Sequence, residues 1–296
     1  MTRWLAFLAV AVTVAFTAAA GPASAQPIAV RFPEQAPTLE ARTVRLRSDT
    51  SVATGVDGAV RSTALLAEVM GRRGRWRYGL ELGAVAWDDR YTLFNTHHAR
   101  GLQPTNPIVS AAYWTRAAGT PLYLGFHVAA MLGLTGGMPC DCDGQSEYEK
   151  RPSQLTRFGA LPITVPDESA GLLGLGARVD RGRWLAQAEV AIVGIAGDRG
   201  SASDTPNHGW FTLGGGVRVR DDLALSAHGL AHVGKRRYQP YESRFAVGGA
   251  AHLAMVGAVV SLRVDQRVDE CYVGGWIPGD QAGTCTRVVL DYARGF

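Results

Sequence analysis

The stretch RWRYGLELGAVAW, residues 75–87, alternates over its whole length. Trp76, Tyr78, Leu80, Leu82, Ala84 and Ala86 make one set, and Arg75, Arg77, Gly79, Glu81, Gly83, Val85 and Trp87 the other. Successive side chains of a β-strand point to opposite faces, so a period of two predicts a strand with an apolar face and a charged one. Two folds use such a strand in opposite senses. A soluble sandwich turns the apolar set inward. A barrel that crosses a bilayer turns it outward to lipid and lines its interior with Arg and Glu.

The connections decide between them. Alternating runs are joined in pairs by very short turns: GRRG at 71–74, AAGT at 117–120, DRGR at 180–183 and RDD at 220–222. Between the pairs lie longer polar segments, 88–106, 135–167, 197–207, 235–243 and 269–284. Short turns at one end and long loops at the other are the habit of a membrane barrel, and nothing in a sandwich requires them. The other runs repeat the two-faced pattern. Leu122, Leu124, Phe126, Val128, Ala130 and Leu132 oppose Tyr123, Gly125, His127 and Gly133. Trp184, Ala186, Ala188, Val190 and Ile192 oppose Gln187 and Glu189, while Leu223, Leu225, Ala227 and Val233 oppose Ser226, His228 and His232. Each run is long enough to cross a bilayer as a tilted strand.

Residues 245–266 are too long for one strand, and their parity flips. Phe245, Val247, Ala251 and Leu253 are apolar on odd numbers, whereas Val256, Val260, Leu262 and Val264 are apolar on even numbers, opposite Ser261, Arg263 and Asp265. A two-residue turn at Ala254-Met255, pairing Leu253 with Val256, explains the flip. A β-bulge does so as well, and a transmembrane helix over 246–262 is a third reading.

The chain closes with TRVVLDYARGF, in which Val288, Leu290, Tyr292 and Phe296 share a parity and Asp291 lies on the other. This last strand, ending in an aromatic residue, resembles the terminal signal of Gram-negative outer-membrane β-barrels, although Arg294 stands where such proteins often carry Tyr. The resemblance is architectural and covers residues 42–296. It implies an all-β fold, a transmembrane antiparallel up-and-down barrel in the cell outer membrane, with outer-membrane lipid as its first partner. Both chain ends then lie in the periplasm and the strand number is even. The strands expected are 43–50, 59–70, 75–88, 107–117, 121–134, 168–179, 184–196, 208–219, 223–234, 244–253, 256–267 and 285–296. That is twelve, with ten as the alternative if the first strand and the 254–255 turn both fail.

Residues 1–25 read as a secretory signal peptide: MTR, an uncharged run from Trp4, and the small-residue motif Ala23-Ser24-Ala25. Residues 26–41, with three prolines and little periodicity, read as a periplasmic lead-in. The formal net charge is +4, Arg greatly outnumbers Lys, and no basic run suggests a nucleic-acid partner. No protein partner is legible. The four cysteines, Cys140, Cys142, Cys271 and Cys285, lie in a chain bound for an oxidising compartment. Cys271 with Cys285 would staple the last long loop. Pairing across the two loops is the alternative, because adjacent Cys140 and Cys142 would close a tight ring.

Chemistry other than passage has little support. A lipid hydrolase needs a nucleophile and a histidine base within reach. His97 and His98 lie in an expected loop, His208 opens a strand near Ser201 and Ser203, and no G-x-S-x-G occurs. The chain is therefore read as no enzyme, with no catalytic residue and no cofactor. His228 and His232 share a face but stand ~13 Å apart along a strand, too far to chelate one metal. Asp141, Asp143, Glu147 and Glu149 offer oxygens in a loop without calcium-loop spacing, so no metal site is assigned.

The inner face carries the functional expectation. With the short turns at the periplasmic end, Arg45, Arg47, Arg75, Arg77, Arg116, Arg178, Arg218 and Arg220 form a collar at that mouth, with Glu68 among them. Glu81, Glu189 and Asp291 lie nearer mid-height. Eight glycines, Gly79, Gly83, Gly125, Gly133, Gly174, Gly176, Gly214 and Gly216, point inward and are expected to thin the wall. The reading is a narrow channel for small anionic or polar solutes. A closed barrel filled by Arg–Glu pairs, with its loops as working surface, is the alternative, and an outer-membrane hydrolase comes third.

Overall fold

A computed structural model of the chain describes residues 42–55, 58–92, 96–133, 168–197, 207–235, 241–255, 258–268, 271–272 and 282–295. The expected signal peptide, the lead-in, the acidic loop with Cys140 and Cys142, and Phe296 lie outside them. The described residues form fourteen strands. They are β1 (Thr43–Gly55), β2 (Gly58–Arg73), β3 (Trp76–Thr92), β4 (Thr96–Pro104), β5 (Ile108–Arg116), β6 (Leu122–Met131) and β7 (Glu168–Arg181). There follow β8 (Trp184–Gly197), β9 (Asn207–Arg220), β10 (Leu223–Lys235), β11 (Tyr241–Met255), β12 (Ala258–Arg267), β13 (Cys271–Tyr272) and β14 (Ala282–Gly295).

Neighbours in the chain pair antiparallel, and β1 also pairs with β14 from Thr43↔Gly295 to Thr54↔Thr284, which closes the sheet into a barrel. β4 and β5 both pair with β3 and so share one wall position, and β13 is a two-residue spur on β14. The wall therefore has twelve positions, as the alternation predicts.

Turn chemistry fixes one end. Gly74, Gly119 and Gly182 sit in tight turns with φ of 64°, 71° and 65°, a left-handed conformation that glycine adopts without penalty. Asp221 and Asp222 form the fourth turn. The hairpin inferred in 245–266 is real, so the helix reading falls. Its turn lies two residues later than expected, because Met255 pairs with Ala258 and Leu253 with Val260 rather than with Val256.

The expected loop 88–106 is a correction. Most of it is strand: β3 runs on to Thr92 and returns as β4, which carries His97 and His98. The pairing Ala84↔Pro104 gives way to Glu81↔Ile108, so three residues on one strand face two on the other. That is a one-residue bulge, and it flips the side-chain parity. Pro104 and Pro107 bracket it, where the ladder can spare their missing N–H groups. Thr105 still donates its N–H to Gly83 O at 2.9 Å.

The faces are sorted inside out. Leu80, Leu124, Val190 and Leu225 are exposed on the outer surface, with Leu175 61% and Ile192 65% exposed. Arg45, Asp49, Glu189, Asp265, Arg287 and Asp291 are buried within. Near the short turns Trp76 packs against Tyr113 and Phe126 with ring centroids 5.4 and 5.5 Å apart, and Trp184 is exposed. Aromatic rings at this height form the girdle that membrane barrels place at a water–lipid boundary.

Candidate functional site: the barrel interior

Each inner residue is placed by parity on its strand and by register across strands, so the interior is a set of rows. One row runs Glu81, Glu68, Arg45, Ala293 through β3, β2, β1 and β14. The next runs Gly83, Leu66, Arg47, Asp291, Ser261, His252. Cross-strand and diagonal neighbours lie within side-chain reach. Arg45 Nε donates to Asp291 Oδ1 at 2.8 Å, and its Nη1 to Glu68 at 3.2 Å. Arg47 lies 3.2 Å from Glu81 and 3.4 Å from the same Asp291. Higher up, Arg287 Nε donates to Asp49 at 2.9 Å. Asp265 lies 3.2 Å from Arg263, 3.7 Å from Arg287 and 2.7 Å from His228. His252 bridges Ser226 and Ser261 at 3.0 and 2.8 Å.

The eight arginines expected in the collar divide. Arg45, Arg77 and Arg178 are buried on the inner face, and Arg47 and Arg218 are half-buried there. Arg178 lies 3.3 Å from Asp180. Arg75, Arg116 and Arg220 are exposed at the rim. Arg75 occupies the two-residue turn and turns outward, donating to the Tyr113 hydroxyl at 3.2 Å in the aromatic girdle. Arg116 folds back onto Thr120 O at 2.8 Å with its guanidinium over the Tyr123 ring, and Arg220 pairs with Asp222 at 3.0 Å. Arg75 departs because strand parity does not extend into a tight turn, and Arg116 and Arg220 because each is the last residue of its strand, open to solvent at the rim. Glu81, Glu189 and Asp291 are inward, with His127 3.2 Å from Glu189.

Three inner arginines escape the sequence-derived set: Arg263, Arg267 and Arg287. The signal was present. Arg287 shares the parity of Asp291, and Arg263 and Arg267 share that of Ser261 and Asp265.

Five of the eight glycines expected to thin the wall do not. A Cβ on Gly176 would meet Trp114 Cη2 at 2.7 Å, and one on Gly79 would meet Ser110 Oγ at 2.6 Å. A Cβ on Gly125 would run into the Trp114 ring, one on Gly174 into His127, and one on Gly83 into the β2 backbone and Leu66. These glycines are seats on which a neighbour's side chain lies against the wall.

Nearer the long-loop end the lining turns apolar. Ala53, Met131, Ala170, Ala191, Val193, Trp210, Leu230, Ala246 and Cys285 form one buried cluster, with Ile108, Ala129 and Leu172 against it. These residues stand seven to eleven positions from the short-turn ends of their strands, so they form a layer above the ion pairs. Among the described residues no cysteine is free, and β13 sets Cys271 opposite Gly283, two residues from Cys285.

No protein-family model and no curated protein sequence matches this chain. Solved structures do. An outer-membrane channel from Pseudomonas putida F1 superposes with a TM-score of 0.61 at 12% identity, covering 91% of this chain and 100% of that one. The NanC porin gives 0.51 at 8% identity, covering 85% and 100%. The β domain of the Bordetella autotransporter BrkA gives 0.51 at 16% identity, covering 87% and 100%. Likeness at such identity is likeness of fold. The fold shared is the closed antiparallel barrel of outer-membrane proteins, and the apolar outer face and aromatic girdle of this chain agree with it.

Proposed function

We propose that the barrel is a narrow outer-membrane channel that favours small anionic or polar solutes. The observation that carries the reading is the charge of the described inner wall. Eight arginines face inward (Arg45, Arg47, Arg77, Arg178, Arg218, Arg263, Arg267 and Arg287) against six carboxylates (Asp49, Glu68, Glu81, Glu189, Asp265 and Asp291). A lumen of one net sign concentrates counter-ions and passes them preferentially. Seating Trp114 and His127 on glycines supports passage too, because a ring laid along the wall occupies less of the axis than one pointing at it. Two of the solved structures with this fold are an outer-membrane channel and a porin.

A closed barrel is the second reading, favoured by the apolar layer, which has few groups to hold water. Planar-bilayer recording on refolded protein separates the two. Discrete conductance steps, with a reversal potential under a salt gradient that shows anion preference, are expected. Silent bilayers would leave the closed barrel, and cation preference would remove the anion assignment.

A further inference from the structure

The apolar layer is not uniform around the barrel. β2 and β3 are not part of it: they carry a separate apolar pair, Ala64 and Val85, and at the layer's upper edge Ser62 and Trp87. Register makes a continuous row through them: Arg287 opposite Ser51, Ser51 opposite Ser62, Ser62 opposite Trp87. All four are on the inner face. Ser51 and Ser62 are fully buried, and Arg287 and Trp87 are 3% and 5% exposed. Among the described residues, the hydroxyls of Ser51 and Ser62 and the indole Nε1 of Trp87 find no hydrogen-bond partner. A buried polar atom left unpaired costs free energy, and natural proteins keep few of them without a use. Here the two hydroxyls lie side by side on β1 and β2, while the Trp87 indole is laid over Gly101 on the β4 side of the row. In the apolar layer, Trp210 holds a fourth unpaired donor, its own Nε1.

We propose that this notch and the apolar layer beside it form a binding site for a small carboxylate with a flat, apolar body. The body would pack against the part of the layer beside the notch, where Ala53 lies opposite Cys285. The carboxylate would accept hydrogen bonds from the Ser51 and Ser62 hydroxyls. The local charge allows an anion: Arg263, Arg267 and Arg287 stand against Asp49 and Asp265 on this side of the wall. Pockets of this kind are mostly apolar, with a few placed polar groups that fix orientation. This proposal deepens the channel reading and rests on it for the route of entry.

Calorimetric titration of the full chain in lipid nanodiscs tests it, with benzoate as the probe and acetate as the same charge without the body. Saturable binding of benzoate, and none of acetate over the same range, is expected. The variants Ser51→Ala and Ser62→Ala should each weaken benzoate by about fivefold, one hydrogen bond lost in each. They should leave the thermal midpoint unchanged or raised, because they remove unpaired groups rather than made bonds. Absence of saturable benzoate binding, equal binding of acetate, or variants that bind as tightly as the parent would overturn the site. Bilayer conductance is read separately. Conduction without benzoate binding sinks this site alone, whereas binding without conduction sinks the channel reading and leaves the site.

Discussion

A glycine on the inner face of this barrel is defined by what its neighbour lays across it. Gly125 and Gly176 flank the Trp114 indole, and neither can carry a methyl group without moving the ring or the backbone. Gly176→Ala is expected to destabilise by about 1–3 kcal/mol, the usual cost of overpacking. Gly171, which faces outward with open space around it, should accept Ala with no loss. Urea unfolding in vesicles checks the pair, and equal effects would mean that the ring is not seated. Depth on the lipid face separates Val190 from Leu124. Val190→Arg puts a charge six residues above Trp184 and should cost roughly 2–4 kcal/mol, whereas Leu124→Arg, level with the aromatic girdle, should cost about 0–1 kcal/mol, again read by urea unfolding. Faces of this kind were legible in the sequence wherever alternation ran unbroken. The positions of Arg75, Arg116 and Arg220 were not, because each lies at a turn or strand end where alternation no longer dictates direction. Nor could the seats be foreseen, since a glycine and the tryptophan above it belong to different strands and meet only through register.

At the scale of the strand, all twelve wall positions could be read from period and turn chemistry, with ends displaced by a few residues. One of them was split, and its first half was missed. β4 and β5 fill one position on β3, but two prolines and a parity-shifting bulge between them look like a loop to any test for alternation. β11 and β12 gave the converse difficulty, one apolar run that contains two strands. Parity found the hairpin, and the absence of a strong turn residue left its centre two residues off. The last loop is bounded by β12 and β14, and its spur β13 brings Cys271 near Cys285. We expect these two to be joined, so that non-reducing peptide maps show a Cys271–Cys285 linkage. Either cysteine linked instead to Cys140 or Cys142 would establish pairing across loops.

Over the whole barrel, charge is unevenly distributed around the axis. Most of the described ion pairs lie on the arc formed by β1, β2, β3, β10, β12 and β14. The arc from β5 to β9 holds His127 with Glu189, and Arg178 with Asp180 at the rim, amid mostly small or apolar residues. Such a wall separates two electrostatic tasks. Asp291 holds Arg45 and Arg47 together, so Asp291→Asn removes the shared counter-ion of a buried cluster and should destabilise by roughly 3 kcal/mol. Arg77 and Arg218 also line the wall, and on them the net sign of the lumen turns. Replacing both with Glu converts eight arginines against six carboxylates into six against eight. The magnitude of the imbalance is preserved and its sign inverted, with no change in the number of charged side chains. If lumen charge sets selectivity, the reversal potential of the double variant should change sign while unit conductance stays within about twofold of the parent, as expected when charge rather than pore width is altered. An unchanged reversal potential would show that ions do not sense these arginines, and selectivity would then have to arise in the loops rather than in the barrel wall.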